Sequence, residues 1–339
     1  MGDSRLLLSR AQILAFRRRV GMLDVRQPLD AETMRSAAWA GLQDSMPRAA
    51  LLSIHVRLSG TEPTTLDDPS LVQIWGPRYS VYVIAGADVA VFTLGRLPER
   101  GAALRRALEV AERLQDHLGE STLRYDDVGR ALGVNPNRLK YAAPTGRFLI
   151  RWEGARRPTI RMVPPPDVDP VEARLELARR YLHVFGPGTA GSFADWAGVT
   201  LQSALASFAA LSEELILVRT PIGEGAILAS DEQEMRTAPQ ATSSRLLPSG
   251  DTYFLLQGDD RELLVPSASR RDLLWTPRVW PGAVLHHGEI VGVWRRSQRK
   301  VTVQTWERLD IRARKDIESE AASLPLPNLE GEIVIDWGD

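Results

Sequence analysis

In the stretch Ala40-Gly41-Leu42-Gln43-Asp44-Ser45-Met46-Pro47-Arg48-Ala49-Ala50-Leu51-Leu52, three polar residues separate two apolar helical patterns. Apolar residues recur at helical spacing before the junction, from Met34 to Leu42, and after it, from Ala50 to Leu58. Pro47 fits the first turn of the second helix, where its missing N–H needs no partner. Two interpretations of the junction follow. Either its carboxylate or hydroxyl caps the second helix, or its carboxylate, amide and hydroxyl form a small catalytic pocket.

Composition indicates a globular protein of two or three domains. The chain has 339 residues, with 44% hydrophobic and 25% charged residues. It contains no cysteine, which excludes disulfides and thiolate zinc sites, and its five histidines show no His-x-x-x-His metal spacing. We therefore expect neither a metal nor a cofactor. The sequence shows no signal peptide and no apolar run of about 20 residues, so we expect a cytoplasmic protein without a membrane anchor.

Charge is balanced in total but uneven along the chain. The net charge is −1, and 39 of the 42 basic residues are arginine. Arginines occur in clusters, whereas acidic residues collect near Asp231 and in the tail after Asp316. A near-neutral total can therefore hide a basic groove opposite an acidic face. The alternative is arginine enrichment from genomic base composition, with the arginines on solvated faces.

A pattern of helices followed by paired strands recurs three times. The first unit, residues 1–98, holds the helices around the junction and a strand-rich segment from Tyr79 to Leu94. The second, residues 99–166, has a helix over 101–118, a helix-turn-helix over 125–139, and two short strands that form a wing. The third, residues 167–236, repeats three helices and a strand pair. We predict an α+β protein of three tandem winged-helix units.

The last part of the chain, residues 237–339, changes character and predicts a small β-rich domain. Its strands are expected at Tyr253–Leu256, Ala283–Leu285, Ile290–Trp294 and Val301–Trp306. A helix is expected over Ile311–Ser323, and Ile333–Ile335 is expected to close a sheet edge.

The junction also resembles a known family. The pattern Gly-Leu-Gln-x-x-x-Pro-Arg-x-x-x-Leu, beginning at Gly41, is similar to the bacterial winged-helix DNA glycosylases of the AlkZ and YcaQ type. Further matching segments occur in order between roughly residues 5 and 310; they are Leu71–Tyr82, Tyr181–Thr189, Phe193–Gly198, Leu246–Pro248 and Gly288–Arg296.

The resemblance implies a role in DNA repair. Proteins of this family excise alkylated purines and unhook interstrand crosslinks, and their signature at the junction is Gln-apolar-Gln or Gln-apolar-Asp. Here Gln43 matches the first position. Asp44 replaces the apolar residue, and Ser45 replaces the last acid or amide. The resemblance thus implies a catalytic site at Gln43, Asp44 and Ser45.

The chemistry requires stabilisation of a sugar cation and a positioned water, because a cationic alkylated base already leaves well. Asp44 is the only acid of the motif, so we predict that it activates the water or stabilises the cation. Gln43 would orient the water or bind the nucleotide, and Ser45 would be a second polar orienter. In an extended segment, however, residues 43 and 45 share a face and Asp44 points away. In that case Ser45 takes the place of the family's acid or amide.

Several arginines are candidates for DNA contact. Arg156 and Arg157 lie at the expected wing tip, where arginine commonly meets phosphates. Arg295 and Arg296 form a second candidate pair, and Arg48 lies beside the motif. Tryptophans such as Trp39, Trp75, Trp152, Trp196 and Trp294 can stack on bases, but a core position is the preferred interpretation for each.

We therefore predict a metal-independent, cofactor-free, monofunctional DNA glycosylase that acts on bulky N-alkylated purines or interstrand crosslinks. Its partner would be double-stranded DNA, and it would act as a monomer on the nucleoid. Two alternatives remain: a non-catalytic winged-helix DNA-binding protein, as regulator or lesion sensor, and an unrelated small-molecule role on the same scaffold.

Overall fold

The computed structural model describes residues 6–46, 48–152, 158–256, 258–326 and 331–338. Its α-helices are α1 Arg10–Val20, α2 Ala31–Ala37, α3 Ala49–His55, α4 Val89–Thr93, α5 Gly101–Leu118, α6 Tyr125–Ala131, α7 Pro170–Phe185, α8 Ala190–Ala197, α9 Leu201–Ala210, α10 Glu232–Met235, α11 Asp260–Leu264, α12 Ala268–Leu274 and α13 Ile311–Ala322. Its strands are β1 Leu6–Leu7, β2 Gln27–Pro28, β3 Leu42–Gln43, β4 Leu58–Ser59, β5 Leu71–Trp75, β6 Val81–Ala85, β7 Thr122–Arg124, β8 Phe148–Arg151, β9 Thr159–Met162, β10 Leu215–Thr220, β11 Gly223–Leu228, β12 Ser244–Leu247, β13 Gly282–His286, β14 Glu289–Ser297, β15 Lys300–Thr305 and β16 Val334–Trp337.

Side-chain caps start several of the helices. Ser9 and Asp30 each form a capping box at the start of α1 and α2, and Asp169 accepts two backbone N–H groups at the start of α7. Pro170 then occupies the first turn of α7, where it disturbs no hydrogen bond. These local signals fix where the three helices begin.

A six-stranded sheet joins the first and second regions of the chain. Its strand order is β3-β6-β5-β8-β9-β7, so the first region supplies one half and the second region the other. From the outer edge inwards, the first half runs β3, β6, β5 and the second half runs β7, β9, β8. In both halves, therefore, the strand that comes first in sequence is outermost and the third lies between the first and the second. The halves meet where Gln73 of β5 pairs with Ile150 of β8. The two regions therefore share one continuous sheet.

The third region combines α7, α8 and α9 with the β10–β11 hairpin. The first residues of the chain complete its sheet, because β1 pairs in parallel with β10, Leu6 opposite Val218. Aromatic rings form the core here, with Tyr181 in contact with Phe185, Phe193 and Trp196. Burial of such large rings supplies much of the apolar stabilisation of the region.

The C-terminal region is a five-stranded sheet in the order β12-β13-β14-β15-β16, with α13 packed beside β12. The prediction of a sheet edge near residues 333–335 is confirmed, because β16 runs parallel to β15. The predicted strand at Tyr253–Leu256 is wrong. Thr252–Phe254 instead forms a 3-10 turn, since the Asp251 carboxylate accepts the Tyr253 N–H and turns the backbone.

The mixed α+β class is confirmed, and the helix predicted over 101–118 has the same bounds in the structure. The second helix expected within 125–139 is instead a 3-10 helix, Pro136–Thr145, which begins and nearly ends at a proline. The short helices α11 and α12 were not predicted. Within the described residues, no helix is both long and apolar enough to cross a membrane.

Candidate functional site

The junction between the first two helical patterns is an extended segment at the outer edge of the six-stranded sheet. β3 lies antiparallel to β6, with Gln43 opposite Tyr82, and the Asp44 N–H continues this pairing to the Val81 carbonyl at 2.8 Å. Successive side chains of an extended segment point to opposite faces. Gln43 and Ser45 accordingly face one side of the segment and Asp44 the other.

A cavity of about 430 Å³ lies on the side of Gln43 and Ser45. Its opposite wall comes from the C-terminal region. Its lining residues are Gln43, Ser45, Met46, Arg78, Ser249, Gly250, Leu255, Arg278, Val279 and Trp280. The cavity thus combines an amide, a hydroxyl, two arginines and an aromatic ring, which is a setting for a polar, anionic and partly aromatic ligand.

Gln43 and Ser45 form a polar pair in this cavity. Gln43 Nε2 donates a hydrogen bond to Ser45 Oγ at 3.2 Å. Gln43 Oε1 is buried and accepts no hydrogen bond from another described protein group. A buried acceptor without a partner is costly unless a water or a ligand supplies one. Gln43 Oε1 is therefore the acceptor of the motif whose hydrogen-bonding capacity is unused among the described protein groups.

Asp44 lies on the opposite side and does not line the cavity. Its side chain is 8% exposed, and Oδ1 accepts the Ala50 N–H at 3.1 Å, which caps the start of α3. Oδ2 accepts a hydrogen bond from Gln73 Nε2, also at 3.1 Å. Burial raises the pKa of Asp44 to about 6, against the opposing effects of the Ala50 N–H and the positive charges of Arg48 and Arg151. The helix-cap interpretation thus fits Asp44 better than a direct contact with substrate.

A buried ion pair holds the far wall of the cavity. Arg57, which follows α3, bonds both carboxylate oxygens of Asp251 at 2.7 and 2.9 Å, and Ser53 donates to the same carboxylate at 2.8 Å. Because Asp251 directly follows Ser249 and Gly250, this pair fixes the wall against the helix that follows the motif. The sequence analysis missed this link, although the charged Asp251 beside a turn glycine was a visible signal.

Of the two arginine pairs predicted to contact DNA, the structure describes one. Arg295 and Arg296 are exposed and line a second cavity of about 240 Å³, which shares Met46 and Trp280 with the first. Arg156 and Arg157 lie outside the described residues, as does Pro47.

Arg48 is half-buried and adopts a left-handed conformation, with φ of 66°, immediately before α3. The pKa of Arg296 is lowered, first by burial and then by the positive charge of Arg48, so these two arginines lie near each other. Arg78 and Arg278 in the first cavity were not predicted. Arg78 and Arg278 line the same cavity as the Gln43–Ser45 pair, whereas Arg296 lines the neighbouring one.

Of the five tryptophans expected in the core, three are buried, whereas Trp39 and Trp152 are half-buried. Trp75, Trp196 and Trp294 are buried, as the core interpretation expects. Trp280 was not predicted, yet it lines both cavities, and Arg261 stacks on its ring at 5.2 Å. Among the described residues, no three His, Asp or Glu side chains are grouped so that they could hold a metal ion.

Comparison with known proteins identifies the family of this chain. The model of the family described as DNA glycosylase AlkZ-like matches residues 37–325, so the chain belongs to that family. A curated relative, the interstrand DNA cross-link repair glycosylase of Streptomyces sahachiroi, is 29% identical over 248 residues. That match covers 69% of this chain and 62% of the relative, so it spans less than two thirds of the relative's length.

The fold is also similar to a solved structure, that of the Streptomyces sahachiroi DNA glycosylase AlkZ. The TM-score is 0.81 at 19% sequence identity, and the match covers 98% of this chain and 100% of the other. The likeness extends through every region described above.

Proposed function

We propose that this protein is a DNA glycosylase that hydrolyses the N-glycosidic bond of bulky N-alkylated purines, including purines joined in an interstrand crosslink. Family membership supports this proposal. The observation that carries it is the Gln43–Ser45 pair, whose buried amide oxygen lacks a partner inside an arginine-lined cavity. The curated relative, named as a crosslink repair glycosylase, supports the same substrate class.

In the proposed reaction, Gln43 and Ser45 position the attacking water. Gln43 Oε1 accepts a hydrogen bond from the water and directs its lone pair at the anomeric carbon, and Ser45 Oγ holds the amide in place. The bond from that carbon to the purine nitrogen breaks, and its electrons neutralise the positive charge of the alkylated base. The new C–O bond forms as the water loses a proton to solvent. No protonation of the leaving base is needed.

The arginines around the cavity fit the DNA backbone as partner. Arg78 and Arg278 in the first cavity, and Arg295 and Arg296 in the second, would bind phosphates near the lesion. Arg48, which precedes α3, joins this set in our proposal. Arg156 and Arg157, which lie between β8 and β9 in sequence, extend this set in our proposal. Such contacts position double-stranded DNA without reading its sequence.

The architecture that we propose is three tandem winged-helix units, residues 1–98, 99–166 and 167–236, followed by a β-rich domain over 237–339. The matching strand orders of the two halves of the six-stranded sheet support the first two units. The α7–α8–α9 series and the β10–β11 hairpin support the third. In this proposal the protein acts as a monomer on the nucleoid.

The test is release of a modified base. A duplex that carries one N7-alkylguanine is incubated with the protein and then cleaved at abasic sites. We expect strand cleavage with the parent, and a loss on the order of 10²-fold for Gln43→Ala, as for other groups that act on developing charge. Ser45→Ala should lose a similar or smaller factor, while both variants still bind the duplex.

A second candidate function is lesion recognition without catalysis. One feature of the motif favours this second function, because Ser45 stands where an acid or amide is typical of the family. If the parent binds alkylated duplex but releases no base under any condition, this second function replaces the first.

A further inference from the structure

We propose that Asp44 is a positioning residue, which locks the cavity-facing pair Gln43–Ser45 to the β8–β9 hairpin through the side chain of Gln73. This inference rests on the proposed glycosylase function. It assigns to Asp44 a role different from water activation, and it makes Gln73 part of the machinery. We call the chain of contacts from Asp44 through Gln73 to Trp152 the Asp44–Gln73 relay.

The relay crosses the sheet at the place where its two halves meet. Gln73 lies on β5, opposite Ile150 of β8, and is 6% exposed. Its Oε1 accepts the Trp152 N–H at 2.5 Å, and its Nε2 donates to Asp44 Oδ2 at 3.1 Å. Trp152 directly follows β8, at the start of the segment whose sequence carries Arg156 and Arg157. Three elements are thus joined by two hydrogen bonds, of which the one to Asp44 is buried and the one to Trp152 is partly buried.

The polarity of the relay is fixed at every link. The Trp152 N–H can only donate, so the oxygen of Gln73 must face it and the NH₂ must face Asp44. Asp44 then meets two donors, Gln73 Nε2 and the Ala50 N–H, and an ionised carboxylate offers one oxygen to each. A neutral amide at position 44 would place an NH₂ group against one of these donors. The relay therefore requires a carboxylate, and the apolar residue typical of the family could not form it.

The charges that face Asp44 come from the elements on either side. Arg48 approaches from the turn before α3, and Arg151 from the end of β8; both favour the ionised form, while burial opposes it. Arg151 is itself paired with Asp67. Because Asp44 has a pKa of about 6, acidification through that pH converts one acceptor oxygen into a hydroxyl and weakens the relay. We expect base release to fall below pH 6 while binding of duplex DNA persists.

The experiment exchanges the polarity of the two side chains. Asp44→Asn should lower single-turnover base release at pH 7.5 by about tenfold or more, because two NH₂ groups then face each other. Adding Gln73→Glu restores one acceptor for each donor, since the carboxylate introduced at position 73 accepts from the new amide and from Trp152. We expect the double variant to recover most of the activity. If the double variant fails to fold, judged by its thermal transition, Gln73→Met replaces it and should lose activity although Asp44 is intact.

The outcomes separate this inference from the proposed function. A parent that releases no base overturns the glycosylase proposal itself. If the parent is active and either Asp44→Asn or Gln73→Met is as active as the parent, the result overturns the relay but not the glycosylase proposal. Loss in Asp44→Asn with full activity in Gln73→Met shows that Asp44 acts on the substrate directly, and it also overturns the relay. Two results together support the relay: base release recovers in the double variant, and the fall in base release near pH 6 is absent from the pH profile of Asp44→Asn.

Discussion

Gln43 and Gly250 touch across the cavity, although 207 positions separate them in sequence. A Cβ added to Gly250 would stand 3.2 Å from Gln43 Oε1, and Gly250 has a φ of +77°. The free carbonyl of the motif is thus held against a glycine of the C-terminal region. A side chain at position 250 would crowd the amide, and the positive φ also favours glycine there.

We predict that Gly250→Ala impairs base release. The new methyl group would stand 3.2 Å from Gln43 Oε1, so the amide must shift by a few tenths of an ångström. Because rate depends steeply on the position of a catalytic group, we expect a loss of up to about tenfold in single-turnover rate. Gly60→Ala is the matched control, because Gly60 has nearly the same φ, +76°, and no atom within 4 Å of an added Cβ. Both variants carry similar backbone strain, so an equal loss in both would contradict the proposed contact.

The buried Arg57–Asp251 pair should dominate the stability of the cavity wall. The side chains of Asp251 and Arg57 are 0% and 2% exposed, respectively. Asp251→Ala therefore leaves the guanidinium of Arg57 buried without its carboxylate partner. We expect a loss of about 3–5 kcal/mol in the free energy of unfolding, measured by urea denaturation. Asp127→Ala removes the partner of Arg130 at the surface and should change stability by less than about 1 kcal/mol. Comparable losses in the two variants would refute the importance of the buried pair.

His55, the last residue of α3, should make the fold acid-sensitive. Burial, followed by the charges of Arg26 and Arg245, lowers the pKa of His55 to about 4. Between pH 6.5 and pH 4 the unfolded chain binds a proton that the folded chain does not, so stability falls as the pH falls through that window. The full effect is on the order of 3 kcal/mol.

Unfolding measured at pH 7.5 and pH 5 tests this prediction. His55→Gln should lose less stability on acidification than the parent, because glutamine keeps hydrogen-bonding groups near Thr61 and Ser323 but does not titrate. Asp44 contributes the opposite slope, since its pKa is raised, and it is unchanged in both proteins. His117→Gln, at an exposed position of α5, is the control. An identical acid response in His55→Gln and the parent would be inconsistent with a buried neutral imidazole.

Arg295 and Arg296, which line the second cavity, should bind phosphates. Replacing Arg295 and Arg296 together by alanine should weaken binding to all duplexes alike and lower the slope of log K against log salt by up to about 2. Fluorescence anisotropy at several salt concentrations measures both quantities. Arg312→Ala, on α13 and outside the lining of both cavities, should leave the slope unchanged. A loss confined to particular sequences would show that these side chains read bases instead.

Much of the fold was predictable because the signals are local. Helix α5 has apolar residues on one face, and α7 begins at an Asp–Pro cap; both starts are visible in the sequence. The alternation of side chains at Gln43, Asp44 and Ser45 also follows from extended geometry alone. What this geometry could not tell was which of the two faces would meet a cavity.

The rest depends on contacts between distant parts of the chain. Gly250 and Trp280 line the cavity only because the C-terminal region packs against α3. No local sequence pattern predicts that packing. Gln73 is a single polar residue in an otherwise apolar strand, and its contacts with Trp152 and Asp44 depend on segments that are distant in sequence. The predicted strand at Tyr253 failed for a similar reason, because Asp251 is turned inward by Arg57.

The pairing of β1 with β10 has a consequence for the order of events on the ribosome. Leu6 is made before Val218, its partner, which follows only after the first two regions are complete. Until then the first strand has no edge to join, and the third region has an open edge of its own. Closure over such a long loop is slow, because the entropy of the intervening chain is lost before the contact forms. Because Leu6 and Val218 lie about two hundred positions apart, the three-stranded sheet closes only after both segments have been made, and until then β10 keeps an unpaired edge.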